Sequence, residues 1–381
     1  MDFTRNLACT MKRDKILLVT NTSWYAYNFY REFILYLASN NLDVYVITPD
    51  SEYFEQLEQL GVITKKIEFS RKGFNPFSEL LFIFRLSLFY AKIKPKFVFN
   101  FTIKPNIWSG FVCRFMNIPC VNTISGLGSS FISDNFVKRI TSMLYSLGCS
   151  RSVDNLVMNE EDYVEMSNIL GSNVNKISGT GIDLGYFKYV EPQVDVDFRF
   201  LFVGRLLKDK GIIELLDGFY AIKNSSITLD IVGDFDLGNP TSISPDCFYE
   251  KINRDSRVKF HGYQEDIRPL IINTNFVILP SYREGLPRVL MESLAIGRPI
   301  LGSDVPGCRD LINPFTGFIF DSHSTISLVN CIESVINLSY SDYLSLSRSA
   351  RSYAEAQLDL EKVISHYYSY LNDSKCESEV I

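Results

Sequence analysis

The stretch FRFLFVGRLLKDKGIIELLDGF (198–219) decides how the whole chain is read. Residues 198–204 form an apolar run of strand length, and a helix follows at 210–223, so strand passes to helix through one short loop. Gly204 closes the strand, where a residue without Cβ lets the backbone turn tightly. Arg205 and Lys210 stand at the strand end and the helix start. Two cations there suit a diphosphate, because guanidinium binds it bidentately and ammonium acts as a point charge beside a helix N-terminus. A strand–loop–helix carrying only solvated surface charges shows the same pattern.

A second stretch, PSYREGLPRVLMESLAIGRPILGSDVPGCRDLI (280–312), sharpens this reading. A strand at 275–280 is followed by Glu284-Gly285-Leu286-Pro287 and a helix at 287–297. Pro287 is placed as the first helical residue, where its missing N–H costs nothing. The Gly285 and Leu286 amides would then face outward, ready for an anion. Glu292 lies about 7.5 Å along the helix axis from Pro287. The two carboxylates are therefore separated, so Glu284 can reach a sugar near the helix start while Glu292 reaches a ribose. A helix-start acid favoured by the dipole, for Glu284, and a buried residue tied to a neighbour, for Glu292, also satisfy this spacing.

The surrounding sequence repeats the alternation. Upstream, KILLVT (15–20), DVYVIT (43–48), VITKKIEF (62–69), KFVFN (96–100), IPCVNT (118–123), NLVMN (155–159) and NKIS (175–178) read as strands. Helices are expected between them, at 27–39, near 52–60, from Pro76 to about 93, at 105–116 and after 159. SGTGIDLGYFKYVEPQVDVD (178–197) breaks the rhythm, as a linker does. Downstream, ITLDIVG (227–233), RVKFHG (257–262) and PILGSD (299–304) resume it, and 341–373 is mostly helical. The expectation is an α/β protein with a first domain at 1–182, a linker at 183–197 and a second domain at 198–381. The C-terminal helix is a candidate to cross back to the first domain. Ligands of such sheets bind beyond the carboxyl ends of the strands, so two facing domains make a cleft suited to group transfer.

With 381 residues, 46% hydrophobic and 22% charged, the chain has the balance of a globular protein. A net charge of −6 argues against a nucleic-acid binder. The charge is uneven: residues 1–180 hold 19 Lys/Arg against 16 Asp/Glu, and the remainder 19 against 28. Within 61–100, eight cations (Lys65, Lys66, Arg71, Lys72, Arg85, Lys92, Lys94, Lys96) face only Glu68 and Glu79. The eight cysteines show no CxxC pair and the three histidines lie far apart, so no zinc site is expected, and free thiols point to the cytoplasm. No signal-peptide core or membrane-spanning run is visible. Asp195-Val196-Asp197 and Asp234-Phe235-Asp236 both read DxD, but two carboxylates without further ligands make a poor metal site.

These motifs resemble the retaining glycosyltransferases of family 4: Glu284 and Glu292 match their E-x7-E pattern, and GRLLKDKG (204–211) resembles their phosphate-binding element. The resemblance implies the GT-B fold, two doubly wound Rossmann-like domains facing across a cleft. It assigns Arg205 and Lys210 to the diphosphate of a UDP-sugar and Glu292 to its ribose. Glu284, with the amides of Gly285 and Leu286, is assigned to the donor sugar and leaving phosphate. Gly204 lies beside them, and the loop Gly262-Tyr263-Gln264 lies near the base. Catalysis would fall to Glu284, Arg205 and Lys210, with no cofactor and no metal.

On the acceptor side the resemblance is looser. Asn21 and Thr22 follow the first strand, Lys104 a later one, and TISGLGSSF (123–131) places Ser125-Gly126 where many relatives have a His. This last loop resembles a subgroup that extends polyprenyl-diphosphate-linked sugars in bacterial surface-polysaccharide assembly, with Lys104 at the carrier diphosphate or simply solvated. SRKGFNPFSELLFIFRLSLFYAKIKPK (70–96) mixes cations with aromatic and aliphatic residues. Peripheral contact with an anionic membrane is expected from it, at the inner face of the cell membrane. A core helix flanked by lysines also fits, with much of 80–91 buried. The expected reaction is sugar transfer, with N-acetylgalactosamine in an α1,3 linkage as the finer assignment. A sugar-nucleotide epimerase of the same architecture, or an inactive nucleotide-sugar-binding subunit, are the alternatives.

Overall fold

The computed structural model describes residues 13–70, 75–128, 131, 136–193 and 198–377. The first seven strands are β1 (Lys15–Val19), β2 (Asp43–Thr48), β3 (Ile63–Lys66), β4 (Phe97–Phe101), β5 (Cys120–Ile124), β6 (Asp154–Val157) and β7 (Asn175–Lys176). They form a parallel sheet in the order β3-β2-β1-β4-β5-β6-β7. The next six are β8 (Phe198–Val203), β9 (Ile227–Val232), β10 (Val258–Phe260), β11 (Phe276–Leu279), β12 (Ile300–Ser303) and β13 (Gly317–Phe320). They form a second parallel sheet, β10-β9-β8-β11-β12-β13. This is the two-domain GT-B architecture.

Both faces of each sheet are covered, and the side chains show it. Along β1, Ile16 and Leu18 pack into one core while Leu17 and Val19 pack into another, because successive residues of a strand point to opposite faces. The central strands β1 and β4 are therefore largely apolar and buried rather than alternating, whereas the edge strand β3 is mostly exposed. The helix Ser23–Ser39 begins where Thr22 caps it, its hydroxyl accepting from the Tyr25 amide at 2.9 Å. Asn75 likewise caps Pro76–Ile93, with Pro76 at the first helical position.

Strand order reverses between β1 and β4 in the first sheet, and between β8 and β11 in the second. These are the switch points where chain connections diverge and leave a crevice. β1 leads into Asn21 and Thr22, and β4 into Thr102 and Lys104. β8 leads into Gly204 and Arg205, and β11 into Glu284. Topology alone thus brings the expected residues to the two edges of the cleft.

Residues 183–193 do not hang free between the domains. Phe187 sits in the second core, the Val190 amide donates to Ile296 O at 3.1 Å, and the buried Arg298 donates to Val190 O at 2.7 Å. Ile182 pairs with the backbone of Leu358 and Leu360, at 2.7 and 3.1 Å. From there the helix Leu360–Glu377 lies against the first domain, burying Val363, Tyr367 and Leu371 in its core.

Other elements depart from the sequence reading. The helix expected at 105–116 opens as a π-helical turn, Pro105–Ser109, and continues as Gly110–Met116. The helices Phe136–Cys149, Pro245–Ile252 and Thr325–Val335 and strand β13 were not anticipated.

Candidate active site

One cavity of about 460 Å³ lies between the domains, within the usual range of small-molecule sites. From the second domain it is lined by Gly204, Arg205, Lys210, Tyr263, Glu284 and Glu292. Trp24, Asn28 and Phe29 close it from the first domain's helix Ser23–Ser39. Six expected donor-side residues thus share one space. Gly285 and Leu286 lie outside its lining, at the neighbouring helix start.

Lys210 and Glu284 are held together. Lys210 Nζ is 2.5 Å from Glu284 Oε1, which also accepts from Ser281 Oγ at 2.6 Å. A cation so placed stays close to a carboxylate while its remaining protons are available to an anion. Arg205 pairs with Asp236 at 2.8 Å, its side chain still mostly exposed. Asp236, the second acid of the 234–236 DxD, is therefore taken by an arginine, and Asp234 accepts from the Phe235 amide at 2.7 Å. The other DxD, Asp195–Asp197, lies outside the described residues.

The glycine requirement falls elsewhere than expected. A Cβ on Gly204 would come no closer than 3.3 Å to the Phe202 ring. A Cβ on Gly233 would sit 1.9 Å from Gly204 O. The tight approach at this strand end is thus met by Gly233, and Gly204 supplies the carbonyl. Pro287 is the residue before the helix rather than its first, since the helix runs Arg288–Ile296. The Gly285 and Leu286 amides donate to no acceptor among the described residues, which leaves them open to a ligand.

Glu292 is buried and fixed by Arg288 one helical turn earlier, Nε to Oε1 at 2.8 Å. Burial pushes its carboxyl above the ordinary range; Arg288 opposes this and Asp266 adds to it. Arg288 also donates to Thr180 Oγ1 at 3.3 Å and lies 5.4 Å from the Phe29 ring centre, reaching the first domain. The sequence reading missed Arg288, although its four-residue spacing from Glu292 was a legible signal.

On the acceptor side, a smaller pocket of about 260 Å³ is lined by Asn21, Tyr25, Phe69, Thr102, Lys104, Ser125 and Gly126, among others. Asn21 Oδ1 and Thr102 Oγ1 are buried there without hydrogen-bond partners. Thr102 also holds a positive φ of 74°, a strained state for a β-branched residue. Thr22 belongs to the helix cap instead, and Lys104 is neither solvated nor free, being paired with the buried Glu79. Nothing in sequence singled out Thr102.

Two family models cover most of the chain: a "glycosyl transferase 4-like" model matches residues 15–160, and "glycosyl transferases group 1" matches 190–356. The chain is a glycosyltransferase. The enzyme is 29% identical over 307 residues to the N,N'-diacetylbacillosaminyl-diphospho-undecaprenol alpha-1,3-N-acetylgalactosaminyltransferase of Campylobacter jejuni, covering 75% of this chain and 80% of that one. It is 25% identical over 267 residues to the UDP-Gal:alpha-D-GlcNAc-diphosphoundecaprenol alpha-1,3-galactosyltransferase of Escherichia coli, covering 65% and 68%. Among solved structures, the sucrose-phosphate synthase of Thermosynechococcus elongatus superposes with a TM-score of 0.79 at 17% identity, covering 96% of this chain and all of that one. That likeness places the glycosyltransferase in the GT-B fold.

Proposed function

We propose that this glycosyltransferase moves a sugar from a UDP-sugar to a polyprenyl-diphosphate-linked saccharide in the assembly of a bacterial surface polysaccharide such as O-antigen or capsule. The observation that carries the donor half is the shared cavity of Arg205, Lys210, Glu284 and Glu292. Negative charge builds on the β-phosphate as the nucleotide leaves. Lys210 and Arg205, which line that cavity, would stabilise it, helped by the Gly285 and Leu286 amides at the neighbouring helix start, and one such donor contributes about 2.7–4 kcal/mol. Glu292 accepts from the ribose. The acceptor attacks from the leaving-group side and gives its proton to the departing phosphate, so the anomeric configuration is retained without a protein nucleophile. Neither a metal nor another cofactor takes part in this scheme, and EDTA is expected to leave turnover intact; full loss restored by Mn²⁺ would overturn it.

Both relatives named above act, by their names, on undecaprenyl-diphosphate sugars with α1,3 linkage, which supports the acceptor class and makes N-acetylgalactosamine the first donor to try. The surface of the first domain supports a membrane setting. The helix Pro76–Ile93 buries the single stripe Glu79, Phe82, Leu86 and Tyr90, while Phe77, Leu80, Leu81, Phe84 and Leu88 are exposed. Much less of 80–91 is core than the sequence suggested. Helix Phe136–Cys149, packed in the same core, exposes Phe136, Val137, Ile140 and Met143. Such apolar surface beside exposed Arg85, Lys92, Lys94 and Arg139 fits the interface of an anionic leaflet. Lys96 is paired with Asp14 at 2.6 Å, and Arg71 and Lys72 lie outside the described residues. No helix among the described residues is long and apolar enough to cross a membrane.

The test is mass spectrometry of products from a panel of UDP-sugars with a polyprenyl-diphosphate-N-acetylhexosamine acceptor. Mass gain of one sugar on the lipid is expected. Interconversion of UDP-sugars without acceptor would instead identify an epimerase, and UDP binding without turnover a silent subunit.

A further inference from the structure

The loop that carries Glu284 is gripped from the opposite domain. Arg283 Nη2 lies 2.6 Å from Asp162 Oδ1 and Nη1 lies 2.9 Å from Glu161 Oε1, both at the start of helix Glu160–Leu170. Asn159 Nδ2 donates to Gly285 O at 2.8 Å and also to Asp162 Oδ2 at 2.9 Å. Asp162 further accepts the Leu127 amide, next to the acceptor-side residues Ser125 and Gly126. Those residues touch the same loop directly, since a Cβ on Gly285 would fall 1.8 Å from Ser125 O. The Glu160 amide donates to Asp310 Oδ1 at 2.8 Å, and Asp310 Oδ2 accepts the Gly307 amide at 3.0 Å.

We infer that Arg283 is a positioning residue: its pairing with Asp162 joins the acceptor-side loop Ser125–Leu127 to the donor-side loop Glu284–Leu286, so that Glu284 is set in its working place only when the domains are closed. This rests on the role proposed for Glu284. The pair is poor glue. The Asp162 carboxylate is fully buried and the Arg283 side chain nearly so. Burying two charges costs several kcal/mol each, and their attraction repays this only in good geometry with further hydrogen bonds. Here the further bonds to the carboxylate come from Asn159 and Leu127, so its oxygens are fully engaged only when both loops are docked, while Arg283 Nε stays buried without a partner. Burial still outweighs Arg283 and raises the Asp162 carboxyl above its ordinary range, as expected where closure has stripped water from it. A contact that is expensive to make and complete only in one arrangement acts as a registration device. Sequence offered no signal for it, because the partners lie 121 positions apart.

The experiment compares wild type with Arg283→Ala, Arg283→Lys and Asp162→Asn in three readouts: UDP affinity by calorimetry, hydrolysis of UDP-sugar in the absence of acceptor, and radius of gyration by X-ray scattering with UDP bound. Arg283→Ala is expected to keep UDP affinity within about threefold, because the diphosphate and ribose groups stay in the second domain. Turnover should fall on the order of 10²-fold, the scale of a misplaced catalytic group. The radius of gyration should increase, and Arg283→Lys should recover part of both losses. Asp162→Asn, which keeps shape and removes only charge, should behave like Arg283→Ala should that variant fold poorly. Unchanged turnover and radius in these variants would overturn the inference, as would a loss of UDP affinity that accounts for the whole loss of turnover. Wild type that binds no UDP would instead overturn the proposed function.

Discussion

The ribose role proposed for Glu292 is one that its surroundings make sensitive to pH. In that role ribose hydroxyls donate to the charged carboxylate, and protonation leaves a weaker acceptor. Burial raises its carboxyl above the ordinary Glu range, so donor affinity is complete above that raised value and is lost as pH falls through it, earlier than an ordinary glutamate would lose it. Arg288 opposes the rise. Arg288→Ala is therefore expected to shift the loss to still higher pH, read as the KM for UDP-sugar across an acidic series. A profile identical to wild type would show that Arg288 does not set the state of Glu292. This pair was half legible: Glu292 stood out in the E-x7-E spacing, and Arg288 lies one turn away from it on the same helix. Arg205 and Lys210 were legible because their neighbourhood is local, a strand end and a helix start within a few residues. Thr102 and Asp162 were not, because what marks them is an orphaned hydroxyl, a strained φ and a partner from the other domain.

Among the elements, strands were read well where both faces are buried. β2 runs Asp43–Thr48, as the apolar run DVYVIT indicates, between the turn at Asn40-Asn41 and Pro49. β13 escaped because GFIF is only four residues long, too short a run to stand out even though Asn313-Pro314 marks the turn before it. The helix Pro76–Ile93 shows the limit of periodicity. It is apolar nearly all round, a pattern that ordinarily means burial on every side, yet the fold covers one stripe only. The exposed remainder gives a prediction at this scale. Replacing Leu80, Phe84 and Leu88 together by Ser should sharply reduce cosedimentation with anionic liposomes while leaving the urea midpoint close to wild type, since none of the three is in the core. Undiminished cosedimentation would remove the membrane role from this helix.

For the whole molecule, the two domains are tied at both ends of the second one. Residues 183–193 bind its surface, and the helix Leu360–Glu377 returns to the first domain, where Tyr367 packs against Tyr30, Phe33, Phe99 and Phe101 with ring centres 5.0–6.3 Å away. Its hydroxyl pairs with Thr123 Oγ1 at 2.9 Å. Tyr367→Ala is expected to cost about 3–5 kcal/mol in denaturant unfolding, as other buried aromatics do; a loss below about 1 kcal/mol, the scale of a surface change, would mean the helix is loosely docked. The alternation of strands and helices made the two-domain plan readable, whereas the return of the last helix depends on packing between segments far apart in the chain. Where the nucleotide binds decides the proposed chemistry, and a crystal structure with UDP tests that most directly. It should show the diphosphate between Arg205, Lys210 and the amides of Gly285 and Leu286, with the ribose on Glu292; UDP bound away from these groups would contradict it.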